Sequence, residues 1–205
     1  NPVIPPPAWD TSRPADETPE QRAEALLQYG DEKTSDFVAS LDLVGYNYMD
    51  SRYERDGKLF PNRVICGTES FPLDSDIVWD RVERLPHVIG DFIWTSYDYL
   101  GEAGLGKVVY GEVARTINQR FMSHVSAFPW RVANCSDFDL CGFERPQLAY
   151  RKIIWGSGET YISVRNPAHY GKPEAISRWG WPDCISHWNW AGYEDKPVSV
   201  EVYSA

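Results

Sequence analysis

One glutamate in this sequence stands where an enzyme would place a catalytic carboxylate. Glu69 follows the apolar run 63–68, and two similar runs, 41–48 and 87–94, lie on either side of it along the chain. Each run begins with apolar, often β-branched residues and ends in residues that can bind or transform a polar ligand. This pattern is typical of a parallel α/β barrel, whose active site lies at the carboxyl ends of the strands. We therefore expect Glu69 in such a site, although a glutamate taken alone is more often a surface residue in a loop.

The aromatic content favours a carbohydrate ligand. The 205 residues include nine tryptophans and twelve tyrosines, many of them beside Asp, Asn or Gly. Sugar rings offer flat C–H faces and a rim of hydroxyl groups, so their sites combine aromatic platforms with fixed polar groups. For any single tryptophan, packing in a core is the more common role.

Charge and composition argue against several other partners. The net charge is −10 and the lysines and arginines are not clustered, which predicts no binding to nucleic acid or to anionic membranes. No apolar stretch approaches the about 20 residues that span a bilayer, and the first residues lack the pattern of an export signal. We expect a soluble protein, with the cytoplasm and the periplasm of a bacterium both open as its compartment. The cysteines have no CxxC spacing, so we predict free, mostly buried thiols.

Helical patterns separate the strand-like runs. After an irregular Pro-rich opening, residues 18–21 have the cap, proline and acidic residue of a helix start, and Gly30 is expected to end that helix. Residues 51–60 form an amphipathic segment. Another helix is predicted to begin at 74–76 and to end before Pro86. The result is a succession of β-α-β units.

The second half of the sequence changes in character. Residues 97–145 read as a long loop, of a length that is usually functional, and 146–155 as a helix. Strand-like pieces follow at 160–164 and 198–203, so we place a domain boundary near Gly158. Three strand–helix units cannot close a barrel of eight, and we therefore expect a truncated chain.

The sequence resembles glycoside hydrolase family 2, the β-galactosidase and β-glucuronidase group, over essentially all of its length. Four segments in the family's order carry the resemblance: 41–48, 67–70, 90–102 and 134–142. The resemblance implies an α/β fold: a partial TIM (β/α)8 barrel, strands six to eight, followed by the beginning of a β-sandwich domain. Residues 1–157 would form the barrel part and residues 158–205 the start of an immunoglobulin-like domain.

The family match also implies the chemistry. Retaining glycosidases use two carboxyl groups about 5 Å apart, a nucleophile and an acid/base. By the match, Glu69 is the nucleophile. The family's acid/base is the glutamate of an Asn-Glu pair that ends strand four, and this sequence contains no Asn-Glu pair. We therefore expect the isolated chain to be inactive.

Substrate-binding residues follow from the same match. Tyr48 corresponds to a tyrosine that hydrogen-bonds the nucleophile, and Asn47 beside it would face the rim of the sugar. One of Tyr46 and Tyr48 is expected to pack in the barrel instead. Trp94 corresponds to the floor of the sugar subsite, with a place in a barrel layer as the alternative. Further candidates in the long loop are Trp130, Asn134 and Asp137.

The substrate is expected to be a terminal, neutral β-linked sugar. Glucuronidases of the family carry an Asn-x-Lys pair in this loop, whereas Asn134-Cys135-Ser136 lacks the lysine, and an unpaired carboxylate would be costly to desolvate. A β-galactoside is the simplest choice, and a β-glucuronidase type is the alternative within the family. We expect no cofactor and no metal site.

Two other interpretations stay open. The chain could be a non-catalytic carbohydrate-binding or structural module, in which the aromatic residues bind or simply pack. It could also be one piece of a split enzyme whose missing amino-terminal part completes the barrel, which predicts exposed apolar surface where strands six and eight lack neighbours. The oligomeric state, including a homo-oligomer, is left open.

Overall fold

The computed structural model of the chain describes residues 18–117, 126 and 128–205. The Pro-rich opening, which we expected to be irregular, lies outside the described residues, as does part of the long loop. No helix in the described parts of the chain is long and apolar enough to cross a bilayer. The cysteines are free, as predicted: three are buried and Cys141 is exposed.

The first half of the chain forms a three-stranded parallel sheet with helices between its strands. The three strands lie in the sheet in the order in which they occur along the chain, so the second strand is central. The predicted β-α-β units and the mixed α/β class are confirmed. The elements are α1 (Pro19–Ala39), β1 (Val44–Asn47), α2 (Tyr53–Leu59), β2 (Ile65–Ser70), α3 (Ser75–Arg84) and β3 (Val88–Ile93).

A small apolar core joins this sheet to its helices. One residue of α2, Tyr53, and one of α3, Val78, pack on the buried positions of the strands. The strand residues of the core are Val44, Tyr46, Ile65 and Val88. This packing fixes the direction of the three strands, and with it the place where their carboxyl ends meet.

Helix α1 begins where the sequence predicts but continues to Ala39, nine residues past Gly30. Thr18 caps it: the Gln21 backbone N–H donates to the Thr18 hydroxyl at 3.3 Å, and the Thr18 N–H donates to the Gln21 side chain at 2.8 Å. The prediction that Gly30 ends the helix is wrong. Just beyond it, Asp31 forms ion pairs with Arg52 and Arg55, and these contacts offset the about 1 kcal/mol that a glycine costs inside a helix.

The second half of the chain contains two small antiparallel sheets. Helix α5 and strands β5 and β8 confirm the predicted helix and the two predicted strands. A short strand and a short helix interrupt the stretch predicted as loop, and two further strands were not predicted. The elements are β4 (Val108–Tyr110), α4 (Glu112–Thr116), α5 (Pro146–Ile154), β5 (Thr160–Arg165), β6 (Glu174–Ile176), β7 (Cys184–Ile185) and β8 (Val200–Ser204).

The smaller sheets connect parts of the chain that are far apart in sequence. Strand β4 pairs with β6, so a ladder joins residues on either side of the predicted boundary near Gly158. Strand β5 pairs with β7 on one side and β8 on the other. The division into two domains stays a prediction, as does the assignment of the parallel strands to a barrel.

Apolar side chains are exposed at both edges of the parallel sheet. Strands β1 and β3 are its edge strands. Ile89 and Phe92 of β3 are 60% and 66% exposed, and Leu43 just before β1 is 45% exposed. Exposed apolar surface at these edges is what the split-enzyme interpretation predicts.

Candidate functional site

Glu69 lies at the carboxyl end of the central strand and is held by the neighbouring strand. The Asn47 side-chain amide donates to Glu69 Oε1 at 2.6 Å. The Thr68 hydroxyl donates to the other end of the same amide, Asn47 Oδ1, also at 2.6 Å. Because that oxygen is already engaged, the amide presents its NH2 group to Glu69. Glu69 is half-buried, so its carboxylate is both oriented and reachable.

Strand β1 delivers Tyr48 to the same place by leaving its regular course. The pairing with β2 shifts between Tyr46 and Asn47, and Tyr48 has a left-handed backbone with φ of 55°. Its N–H donates to the Glu69 carbonyl oxygen at 2.7 Å. Tyr46 packs in the core instead, so the two tyrosines take the two different positions that we expected of them.

The phenol of Tyr48 lies beside the Glu69 carboxylate. Burial raises the pKa of Tyr48 above its usual value, a hydrogen bond from Trp179 lowers it, and a hydrogen bond to Glu69 together with the charge of that carboxylate raises it. Tyr48 is therefore a neutral hydrogen-bond donor. A neutral donor of this kind can orient the carboxylate beside it.

Trp94 follows β3 and forms part of a second aromatic group. Its backbone N–H donates to the Ser70 carbonyl at the end of β2, at 3.1 Å. Its indole N–H donates to the Tyr99 hydroxyl at 3.1 Å, and Tyr99 in turn donates to Glu102. The half-buried indole packs on a small core of Leu105, Ala133 and Cys135. Trp94 thus lies at the same end of the sheet as Glu69.

Trp179 is a residue of this site that sequence reasoning missed. Its indole N–H donates to the Tyr48 hydroxyl oxygen at 2.8 Å. Its ring meets Tyr48 and Phe71 edge-on, with centroids 5.7 and 5.0 Å away, and packs on the same small core as Trp94. Only the general abundance of tryptophan pointed to it, because residue 179 lies beyond the predicted domain boundary.

Asn134 and Asp137, predicted to reach the sugar, are engaged by arginines. Asn134 Oδ1 accepts from Arg145 at 2.9 Å, and its backbone N–H donates to Asp98 at 2.9 Å. Asp137 is buried and pairs with Arg151 at 2.7 Å. Burial raises the pKa of Asp137 to about 6, and Arg151 opposes that change only in part. The structure gives both residues partners within the fold.

Trp130 and Asn134 line a separate cavity. It has a volume of about 690 Å³, and its other lining residues include Tyr110, His169 and Glu144. Glu69, Tyr48 and Trp94 are not among the residues that line it. The predicted site residues therefore fall into three places: Asn47, Tyr48, Glu69 and Trp94 at the strand ends, Trp130 and Asn134 at this cavity, and Asp137 in a buried ion pair.

A metal centre is not evident in the described residues. Within 18–117, 126 and 128–205, no group of three or more His, Cys, Asp or Glu side chains is arranged to hold a metal ion. The chemistry that the strand ends can support is that of a half-buried carboxylate oriented by an amide and a phenol.

Parallel α/β units with an oriented carboxylate at the strand ends are typical of enzymes that bind their ligands at that edge of the sheet. Comparison with solved structures narrows this class. A glycosyl hydrolase family 2 member from Bacteroides cellulosilyticus matches with a TM-score of 0.67 and 38% identity, over 83% of this chain and 21% of that chain. A member from strain DSM 14838 of that species matches with a TM-score of 0.59 and 36% identity, over 83% of this chain and 19% of that chain.

The resemblance to glycoside hydrolase family 2 is therefore confirmed, in sequence and in structure. The chain spans about a fifth of the length of these two solved proteins, at 21% and 19%. No family model matches the sequence, and no curated protein sequence does so either.

Proposed function

We propose that this chain supplies the nucleophile side of a retaining exo-β-glycosidase that hydrolyses terminal, neutral β-linked sugars, most simply β-galactosides. One observation carries the proposal: the Glu69 carboxylate ends the central parallel strand and accepts from the Asn47 amide at 2.6 Å, with the Tyr48 phenol beside it. The similarity to two family 2 members supports the same class of reaction.

The proposed reaction has two steps. Glu69 attacks the anomeric carbon and forms a glycosyl ester, while the bond to the leaving oxygen breaks and that oxygen takes a proton from the acid/base. Water then attacks the same carbon, gives its proton to the acid/base and releases Glu69. Asn47 and Tyr48 hold the carboxylate in place for both steps, and the indole of Trp94 offers an apolar face to the sugar.

The fold enters the proposal as part of a larger barrel. We assign β1, β2 and β3 to strands six, seven and eight of a (β/α)8 barrel, and residues 158–205 to the beginning of an immunoglobulin-like sandwich. The parallel order β1-β2-β3 supports the first assignment. Because the sequence has no Asn-Glu pair, we assign the acid/base to another part of the parent protein and expect this chain alone to turn over ordinary glycosides poorly.

The charges near the loop support a neutral sugar. The cation beside Asn134 is Arg145, and its guanidinium already pairs with the buried carboxylate of Asp98 at 2.8 Å. A sugar carboxylate would have to compete with Asp98 for that cation. We therefore favour β-galactosides over β-glucuronides.

The proposal is tested with a reagent that bypasses the missing acid. A 2,4-dinitrophenyl leaving group needs no protonation, and a fluorine at C2 slows hydrolysis of the ester, so the glycosyl-enzyme accumulates. Treating this chain with 2,4-dinitrophenyl 2-deoxy-2-fluoro-β-galactoside should add one sugar to the peptide that contains Glu69, as read by intact mass and peptide mapping. The corresponding glucuronide reagent should label far more slowly.

Two variants complete this experiment. Glu69→Gln should abolish the label, whereas Glu54→Gln, an exposed glutamate on α2, should label like the unchanged chain. Label that persists in Glu69→Gln, or that maps to a different carboxylate, would refute Glu69 as the nucleophile. An unchanged chain that takes up no label at all would contradict the proposal for this chain.

A further inference from the structure

The hydroxyl group of Tyr48 has two neighbours with different capacities. The indole N–H of Trp179 can only donate, and it points at the Tyr48 oxygen from 2.8 Å. The Tyr48 oxygen must therefore accept that bond, which leaves its single proton for another acceptor. The acceptor beside it is the Glu69 carboxylate.

We infer that Trp179 is a positioning residue of the Glu69 site, which directs the Tyr48 hydroxyl proton to the carboxylate by donating to the Tyr48 oxygen. The inference rests on the proposed role of Glu69. Hydrogen bonds in such a chain polarise one another, so donation from Trp179 makes Tyr48 a stronger donor to Glu69. Trp179 itself does not touch the substrate in this role.

The backbone around Trp179 is fixed to the segment that packs under Trp94. Ser177 is fully buried, its hydroxyl donates to the Leu105 carbonyl, and its N–H donates to the Lys107 carbonyl at 3.0 Å. The Trp179 N–H donates to the Ser177 hydroxyl at 3.2 Å. Gly180 closes the turn, and a Cβ there would stand only 2.8 Å from the Gly106 carbonyl oxygen. These bonds set the direction of the indole.

The other side of the same turn is fixed to the residues after β2. The Arg178 guanidinium lies 3.8 Å over the ring of Phe71 and 3.3 Å from the Asp74 carboxylate. Phe71 also packs against Tyr48, with ring centroids 4.3 Å apart. Trp179 is thus held between two anchors, and residues beyond the predicted boundary at Gly158 contribute to the site at the strand ends.

The labelling reagent described above provides the first test. Trp179→Phe keeps an aromatic ring but removes the N–H, and Tyr48→Phe removes the hydroxyl. We expect Trp179→Phe to lower the first-order rate constant of ester formation roughly 5- to 10-fold, the value of one hydrogen bond, with the dissociation constant of the reagent changed by less than about 2-fold. In the Tyr48→Phe background, Trp179→Phe should have almost no further effect.

Trp181 supplies a matched control, because its indole N–H also donates to a tyrosine hydroxyl, that of Tyr203 at 3.0 Å, and Tyr203 packs on Tyr150 and Tyr161. Trp181→Phe should leave the labelling rate unchanged. If Trp179→Phe weakens only the binding of the reagent, or if the effects of Trp179→Phe and Tyr48→Phe multiply, Trp179 merely packs and the inference is overturned.

The second test does not depend on chemistry at Glu69. The ¹H–¹⁵N resonance of the Trp179 indole, assigned by its loss in Trp179→Phe, should move upfield in Tyr48→Phe because the acceptor is gone. It should also move, by a smaller amount, in Glu69→Gln, because the Tyr48 hydroxyl loses its charged partner. A resonance that ignores Tyr48→Phe or Glu69→Gln overturns the inference. A resonance that responds to both, in a chain that takes up no label, upholds the contact and refutes only the proposed function.

Discussion

Two tyrosines of the same stretch of chain, Tyr46 and Tyr48, each lie beside a carboxylate, and the surroundings of the two carboxylates are opposite in kind. Tyr46 donates to Asp56, which is fully buried. Three arginines also contact Asp56, at 3.0 to 3.2 Å: Arg52, Arg55 and Arg63. Tyr48 lies beside Glu69, which is only half-buried and accepts from the neutral amide of Asn47.

The difference separates a carboxylate that holds the fold together from the one to which we assign a role in catalysis. The charge of Asp56 is used to tie α2, α1 and the sheet together, since Arg52 and Arg55 also reach Asp31 of α1. Burial, and then Asp56, raise the pKa of Tyr46 to about 12, while Arg52 and Arg63 oppose the change. At Glu69 the hydrogen-bonding partners Asn47 and Tyr48 are neutral, and within residues 18–117, 126 and 128–205 no ion pair involves this carboxylate. Such surroundings are compatible with the role of nucleophile that we propose for Glu69.

The largest expected effect is the loss of stability when the Asp56 carboxylate is removed. Asp56→Ala leaves three arginines around an empty position, and losing one member of a buried ion cluster typically costs about 3 to 5 kcal/mol. Glu69→Gln keeps an oxygen that can accept from Asn47, so we expect it to change the free energy of unfolding by less than about 1 kcal/mol. Urea denaturation of the two variants measures both values.

Equal losses in Asp56→Ala and Glu69→Gln would contradict this division. Asp56→Asn is the conservative control, because it keeps the shape and one acceptor oxygen while it removes the charge. Its loss in free energy of unfolding should lie between those of Asp56→Ala and Glu69→Gln.

The sequence predicted the β-α-β order because strand and helix patterns, prolines and caps all agreed over residues 41–94. It could not predict that α1 continues past Gly30, because the ion pairs of Asp31 with Arg52 and Arg55 come from a later part of the chain. Strands β4 and β6 were missed for the same reason: each has three residues and is defined by its partner across the long loop.

The site was partly predictable. Strand ends and family motifs singled out Glu69, Asn47 and Tyr48, which do lie together, while their roles stay a prediction. Alternation alone would put Tyr46 and Tyr48 on the same face of a strand, and what separates them is the shift in pairing at Asn47 and the left-handed backbone of Tyr48. Trp179 could not be found in this way, since it reaches Tyr48 across 131 positions of the chain.

Asp137, a buried carboxylate paired with an arginine, should affect the stability of the fold less than Asp56 does and more than Glu69 does. In the part of the chain that the structure describes, Asp137 forms an ion pair with Arg151 only, and burial raises its pKa from 3.8 to about 6. The folded state therefore binds the Asp137 proton more tightly than the unfolded state does. The Asp137 carboxyl group therefore stabilises the folded state below pH 4. This stabilisation is lost as the pH rises from about 4 to about 6, and it amounts to roughly 3 kcal/mol at most.

The measurement is the difference in unfolding free energy between pH 4 and pH 7, in the unchanged chain and in Asp137→Asn. The variant should lose that part of the pH dependence which belongs to this carboxyl group. An identical pH dependence in both chains would show that Arg151 fully balances the effect of burial on Asp137.

Smaller effects are expected when the hydroxyl group of either tyrosine is removed. Tyr46→Phe removes a buried hydrogen bond to Asp56, with an expected loss of about 1 to 2 kcal/mol. Tyr48→Phe should cost less stability but slow the labelling of Glu69. Urea denaturation and the labelling rate, measured on both variants, should thus rank them in opposite orders. The same order in both measurements would remove the distinction between a structural and a functional tyrosine.

The smallest effect is expected at an exposed ion pair whose distances are as short as that of the buried Asp137–Arg151 pair. Lys152 follows Arg151 in α5, and its Nζ lies 2.6 and 2.7 Å from the two carboxylate oxygens of Glu144. Both side chains are about half exposed, at 41% and 52%, so water and salt already satisfy the separated charges. Glu144→Gln should change the free energy of unfolding by no more than about 0.5 kcal/mol, and 0.5 M salt should reduce that difference. A loss above 1 kcal/mol would mean that distance, rather than burial and the number of cations, decides what a carboxylate contributes to this fold.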